Sequence, residues 1–163
     1  MVNSAKKPMK ALSVQQPWAT LLSIGAKTIE TRTWATTSPG TIVIHASRAY
    51  PPELRLMERN PAFYSALHHD GLYADPSRDA GQILAVADVV ACVKVDYLLD
   101  GRSKYASRLT NREKAFGDYR EGRWGWILEN VRRLVTPIAC RGSRVLWPLP
   151  PDVELRMLGE LCA

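Results

Sequence analysis

The run GQILAVADVVACVKVDYL, from Gly81 to Leu98, constrains this chain more than any other stretch. It is the longest β-rich segment and reads as a long strand, or one bent around Asp88, at the centre of a sheet. Other segments supply candidate neighbours. Lys10 to Val14 reads as a short strand, TIVIHA (Thr41 to Ala46) as a buried β-branched strand, Trp124 to Leu134 as a further strand and Ser143 to Trp147 as a last one. Prolines punctuate the intervals. Pro17 suits the first turn of a helix whose apolar face is Trp18, Leu21, Leu22 and Ile24, with Gly25 as its stop. Pro51 to Asn60 and Pro61 to His69 read as two short helices, the second broken at Asp70-Gly71, and Val153 to Leu161 as a terminal helix. Strands separated by short helices, with too few βαβ intervals for a doubly wound sheet, predict an α+β domain on a small, mixed, partly closed β-barrel with flanking short helices. Residues 1–9 are expected to be a disordered lead and residues 10–163 one domain.

The overall balance is that of an ordinary globular chain, 46% hydrophobic and 23% charged, and no apolar run approaches the roughly 20 residues that a membrane span requires. No apolar segment of signal-peptide type follows the basic start MVNSAKKPMK. Cys92, Cys140 and Cys162 are an odd, widely spaced set, and with only His45, His68 and His69 beside them they match no zinc-ligand spacing. No metal, cofactor or disulfide is expected, and a reducing cytoplasm is the simplest setting. Charge is unevenly placed. Residues 100–144 hold eleven Lys and Arg against five acids, so this segment carries the whole net charge of +6. Such a concentration suits a patch that meets a polyanion, or a merely solvated basic loop face. Within it, Leu99 to Arg123 reads as a basic loop with one helical turn.

The stretch QQPWATLLSIGAKTIETRTW, Gln15 to Trp34, holds the candidate site. TIETRTW alternates with period two, which puts Thr28, Glu30, Arg32 and Trp34 on one strand face. Lys27 and Arg32 around Glu30 are either a structural ion-pair clip or the polar lining of a site. Exposed pairs contribute only about 0 to 1 kcal/mol, so stability is a weak reason for placing them there. In the second reading Lys27 and Arg32 donate to a phosphate or base edge, and Glu30 orients Arg32 or accepts from a base amino group. Trp18 and Trp34 are the stacking candidates, with Trp124, Trp126 and Trp147 assigned mostly to packing. Gln15 and Gln16 can read base edges or finish the first strand, and Arg48, after the TIVIHA strand, can reach phosphate.

Taken in order, QPW at a helix start, GxKxxExR over Gly25, Lys27, Glu30 and Arg32, the His-Ala-Ser strand, Gly-Gln-Ile-Leu-Ala-Val and GRWGWILENVRRL resemble the ASCH domain family (activating signal cointegrator homology). The similarity runs from about Lys10 to Pro148. It implies a PUA-like barrel and binding of RNA, DNA or a modified nucleotide in a basic cleft beside the first helix, lined by Lys27, Glu30 and Arg32. Some family members are enzymes. In an amidohydrolase branch that deacetylates acetylated cytidine, a threonine three residues after the lysine is the nucleophile, and here that position is Glu30. Little or no such deacetylation is therefore expected. The expected function is nucleic-acid or modified-nucleotide binding, to RNA or single-stranded DNA, by a monomer without membrane contact. The alternative is a small RNA-directed or nucleoside-directed hydrolase, of ribonuclease or amidohydrolase type, using Lys27 and Glu30.

Overall fold

The computed structural model describes residues 7–37 and 39–162. In chain order the elements are β1 (Lys10–Val14), α1 (Trp18–Ser23), β2 (Ile29–Arg32), β3 (Gly40–Ala46), α2 (Pro52–Arg55), a 3-10 turn (Leu56–Arg59), α3 (Pro61–Leu67) and the hairpin β4 (His68–His69) and β5 (Leu72–Tyr73). There follow α4 (Pro76–Asp79), β6 (Gln82–Lys94), α5 (Val95–Leu99), a 3-10 turn (Ala106–Arg108), α6 (Asn111–Ala115), β7 (Trp124–Ala139), β8 (Leu146–Pro148) and α7 (Pro151–Cys162). Of the expected lead, residues 1–6 lie outside the described residues, and Met9 is held by Glu154 and Leu149.

Six strands form one mixed sheet in the order β2-β7-β6-β3-β1-β8, curled into a half-barrel with β6 near its middle. Only β1 and β3 run parallel. The curl has a local cause. Pairing of β6 with β7 slips between Ile83 and Ala85, Val86 and Asp88, and Val89 and Ala91, and each slip bends the strand. At the middle slip Asp88 accepts hydrogen bonds from Thr41 Oγ1 (2.8 Å) and Asn130 Nδ2 (2.9 Å), and Asn130 turns through a left-handed φ of 50°. Asparagine tolerates that conformation better than most side chains. The bend around Asp88 is thus a feature of both strands.

Period-two alternation divides the buried residues between two faces. Leu12, Ile42, Ile44, Leu84, Trp126 and Leu128 pack in one cluster with Ala19 and Leu22 of α1. Ala11, Val43, Ile83, Val86, Leu134 and Ile138 pack in a second with Val153 and Met157 of α7. Both faces are covered, which explains why β6 reads as almost continuously apolar.

Several segments differ from the sequence expectation: β7 continues to Ala139, past Leu134, His68–His69 is a short strand and not the end of a helix, and β2 stops at Arg32, short of Trp34. The end of the long run, Val95–Leu99, is helix and not strand, because Lys94 pairs with Trp124, the first residue of β7, and the ladder has no partner beyond it. The basic stretch 99–123 is ordered by two helical turns. Thr110 caps α6, its Oγ1 accepting from Glu113 N (3.1 Å), so a Thr-x-x-Glu helix start stands where a loop is expected. The last strand is Leu146–Pro148, shifted toward the proline-rich segment.

Trp126 is wholly buried in the core packed against α1, whereas Leu155 on α7 is 73% exposed. In urea denaturation Trp126→Ala is expected to cost about 3 to 5 kcal/mol, and Leu155→Ala less than about 0.5 kcal/mol.

Candidate nucleic-acid interface

Helix α1 ends at Gly25, whose φ of +72° lies in the left-handed region that glycine enters without strain. The reversal sends Lys27 inward. Its side chain is 1% exposed, with Nζ donating to the Ile29 carbonyl and lying 3.5 Å from Glu113 Oε1. Glu113 is also buried, and its carboxylate accepts from the backbone N–H of Thr28 and of Ile29, both at 3.1 Å, and from Tyr119 Oη at 3.1 Å. One carboxylate on α6 therefore fixes the Lys27–Ile29 turn. Burial chiefly, with Glu113 and then Glu30 nearby, pushes the Tyr119 phenol far above its usual range, so it stays a neutral donor.

From that turn β2 runs out along β7, with Glu30 opposite Trp126 and Arg32 opposite Trp124. Arg32 Nη2 donates to the Ser13 carbonyl (2.9 Å), and its Nε sits 2.9 Å from Glu30 Oε1 without an aligned hydrogen bond. Arg123 closes the same wall. It donates through Nη2 to the Thr31 carbonyl (3.3 Å) and pairs with Asp118 at 3.5 Å. Among the described residues, Arg32 Nε and Arg123 Nε are the buried side-chain polar atoms that lack a hydrogen bond.

These groups border a cleft of about 520 Å³ between α1, β2 and the segment that follows α6. Trp18, Lys27, Glu30, Arg32 and Trp34 all line it, together with Phe116, Asp118 and Arg123. Trp18 stands edge-on to Phe63 (6.1 Å) and Phe63 edge-on to Phe116 (5.1 Å), which braces one wall. Trp34 is braced from behind by the edge-on ring of Trp126 at 4.7 Å. Asp118 is held down to about 2, chiefly by its hydrogen bond to Arg120, and is ionised at neutral pH.

Two residues singled out in the sequence lie elsewhere. Gln16 is fully buried and donates to Thr20 Oγ1 (2.9 Å) and the Pro76 carbonyl (3.0 Å) while accepting from Thr20 N (3.1 Å). It fastens α1 to α4, and Gln15 is the glutamine on the cleft. Arg48 borders a different depression. Nor does the basic surplus gather in the cleft, where Lys27, Arg32 and Arg123 face Glu30 and Asp118. Five of the eleven cations of residues 100–144 are paired: Arg102 with Asp100, Arg108 with Glu129, Arg120 and Arg123 with Asp118, and Arg133 with Asp79. Glu113, Phe116, Asp118, Tyr119 and Arg123 escape the sequence reading. For Glu113 a signal exists, the Thr110-to-Glu113 capping pattern.

A profile of the ASCH domain matches residues 12–138. The chain belongs to the ASCH domain family. This family is generally RNA-binding. The ASCH chain is 24% identical over 143 residues to human activating signal cointegrator 1, a match covering 88% of this chain and 22% of that protein. The crystal structure of ASCH from Zymomonas mobilis superposes with a TM-score of 0.54 at 18% identity, over 94% of this chain and 95% of that one. A single-residue variant of that protein gives 0.55 at 17% identity, over 95% and 99%. These likenesses show that the chain shares the fold of the Zymomonas ASCH structures.

Because the Lys27–Glu113 pair is buried, removing one partner strands the other. Lys27→Met or Glu113→Gln alone is expected to destabilise the ASCH domain by about 3 to 5 kcal/mol, and the double variant by less than the two combined. Equilibrium denaturation of the four proteins measures the coupling.

Proposed function

We propose that this ASCH domain binds single-stranded nucleic acid, RNA in the first instance, by seating one base or modified base in the cleft beside α1. The observation that carries the reading is the pairing of braced aromatic rings, Trp18 and Trp34, with the guanidinium groups of Arg32 and Arg123 along one cleft. A base is a flat π-face with acceptors at its edge, and such a site offers both stacking surface and donors. The volume of about 520 Å³ suits a nucleoside and excludes a duplex. Glu30, held beside Arg32, orients that arginine or accepts from an exocyclic amino group. Three free cysteines fit a reducing compartment such as the cytoplasm. No helix among the described residues is long and apolar enough to cross a membrane. The proposed working unit is a monomer and one domain.

Hydrolysis by Lys27 and Glu30 is the weaker reading. The Lys27 ammonium is engaged by Glu113 and the Ile29 carbonyl, and Glu30 replaces the hydroxyl that the deacetylating branch uses. A positioning role for Lys27 fits these contacts better than proton abstraction.

The test is titration of single-stranded RNA while tryptophan fluorescence is followed. Trp34→Ala and Arg32→Ala are each expected to weaken binding by about 1 to 3 kcal/mol. Acetylated cytidine incubated with wild-type protein is expected to remain intact. Binding unaffected by either substitution would remove the cleft from the account, and turnover lost in Glu30→Gln with binding retained would make the protein an enzyme.

A further inference from the structure

On the far side of Ser13 lies a second, wider depression, and the charge there is of a different kind. Arg48, Arg141 and Arg144 border it, and no carboxylate does. All three arginines are exposed and have no ion-pair partner among the described residues. In the cleft, by contrast, each cation is engaged by a carbonyl or a carboxylate.

The depression is rigidly built. His45 is 2% exposed, and its Nε2 lies 3.0 Å from the Cys140 carbonyl, which can only accept, so that nitrogen carries the proton. Burial holds the imidazole below its ordinary range, and the neutral ring then accepts at Nδ1 from Ser13 Oγ (3.0 Å), which in turn accepts from Trp147 Nε1 (3.1 Å). Gly142 passes so close beneath the ring that an added Cβ would stand 2.4 Å from His45 Cε1. Gly81 donates to the Ala46 carbonyl (3.0 Å) and accepts from Cys140 N (3.1 Å), which fixes the opposite rim beside Arg48. The loop carrying Arg141 and Arg144 is thereby tied to the sheet at its start, through Cys140, and packed against His45 at Gly142.

Ser13 connects the two hollows. It lines both, its carbonyl holding Arg32 on the cleft side and its hydroxyl holding His45 on the other. We infer that Arg48, Arg141 and Arg144 form a phosphate track that continues the cleft across Ser13, so that the nucleotides flanking a seated base lay their backbone along this depression. The inference rests on the cleft reading and assigns the polyanion term to a surface outside the cleft. Unengaged arginines around a carboxylate-free hollow suit phosphodiesters, each binding with release of counterions.

The experiment measures fluorescence anisotropy of a labelled single-stranded RNA of about ten nucleotides, across a range of salt concentrations. The proteins are wild type, the triple variant Arg48→Gln, Arg141→Gln, Arg144→Gln, the corresponding triple Lys variant, and Trp34→Ala. The Gln triple is expected to bind about tenfold or more weakly at low salt, with a log affinity against log salt slope shallower by about 2, three phosphates at about 0.7 each. The Lys triple keeps most of the slope, and Trp34→Ala weakens binding with the slope unchanged. Unaltered thermal melting of the Gln triple checks that the exposed substitutions leave the fold intact. If the Gln triple matches wild type while Trp34→Ala is weakened, the track is refuted and the cleft reading stands. If wild type binds no RNA, both fall. If poly-glutamate competes as well as RNA and the Gln triple loses both, the surface meets acidic proteins and the nucleic-acid assignment is overturned.

Discussion

The carboxylate of Glu113 is the contact on which the cleft depends. It reaches from α6 to the turn after α1, takes two backbone N–H groups and the Tyr119 hydroxyl, and lies beside the Lys27 ammonium, buried with it. Desolvating a carboxylate and an ammonium costs several kcal/mol per ion, so a buried pair is a poor choice for stability alone. Its effect here is positional. The pair sets where β2 begins, and hence where Glu30 and Arg32 emerge, and it anchors the segment that presents Phe116, Asp118 and Arg123. Both walls of the cleft therefore take their place from one interaction.

Around that anchor the charges have separate tasks. Arg32 and Arg123 are steered by the Ser13 and Thr31 carbonyls and partly balanced by Glu30 and Asp118, which favours shape and hydrogen-bond selection over bulk attraction. The arginines across Ser13 have no such balance. Polyanion attraction is sequence-independent and screened by salt, whereas stacking and edge contacts are local and discriminating. In the proposed function, placing the two on adjacent surfaces would let each be tuned without disturbing the other. It also explains why a net charge of +6 coexists with a nearly balanced cleft.

Much of this was legible in the residues. The Gly81–Leu98 run declares a central strand because both faces are buried, whereas the period of TIETRTW does not hold over its length: β2 stops at Arg32, Thr28 turns to Glu113, and Thr31 and Thr33 line the cleft beside Glu30, Arg32 and Trp34. The α+β half-barrel follows from strands separated by short proline-started helices. What escaped was set by distant partners. Glu113 reads as one acid in a basic loop until Thr28 and Ile29 arrive from 85 and 84 residues away. Gln16 reads as a polar cleft residue because nothing nearby reveals that its amide is taken by Thr20 and, 60 residues on, by Pro76. The helix over Val95–Leu99 escaped because its β-branched start continues the strand, and only the starting point of β7 ends the ladder. Local pattern specifies faces and periods, and tertiary partners decide which polar groups remain available.

The central claim is that a single nucleotide sits between Trp18 and Trp34 in the cleft. Photocrosslinking of a 4-thiouridine-substituted single-stranded RNA, with the attachment sites mapped by mass spectrometry, tests it most directly. The account predicts crosslinks on cleft residues, Trp18, Trp34 or Phe116, that disappear when unlabelled RNA competes. Crosslinks confined to surfaces away from the cleft, with none on those rings, would contradict it.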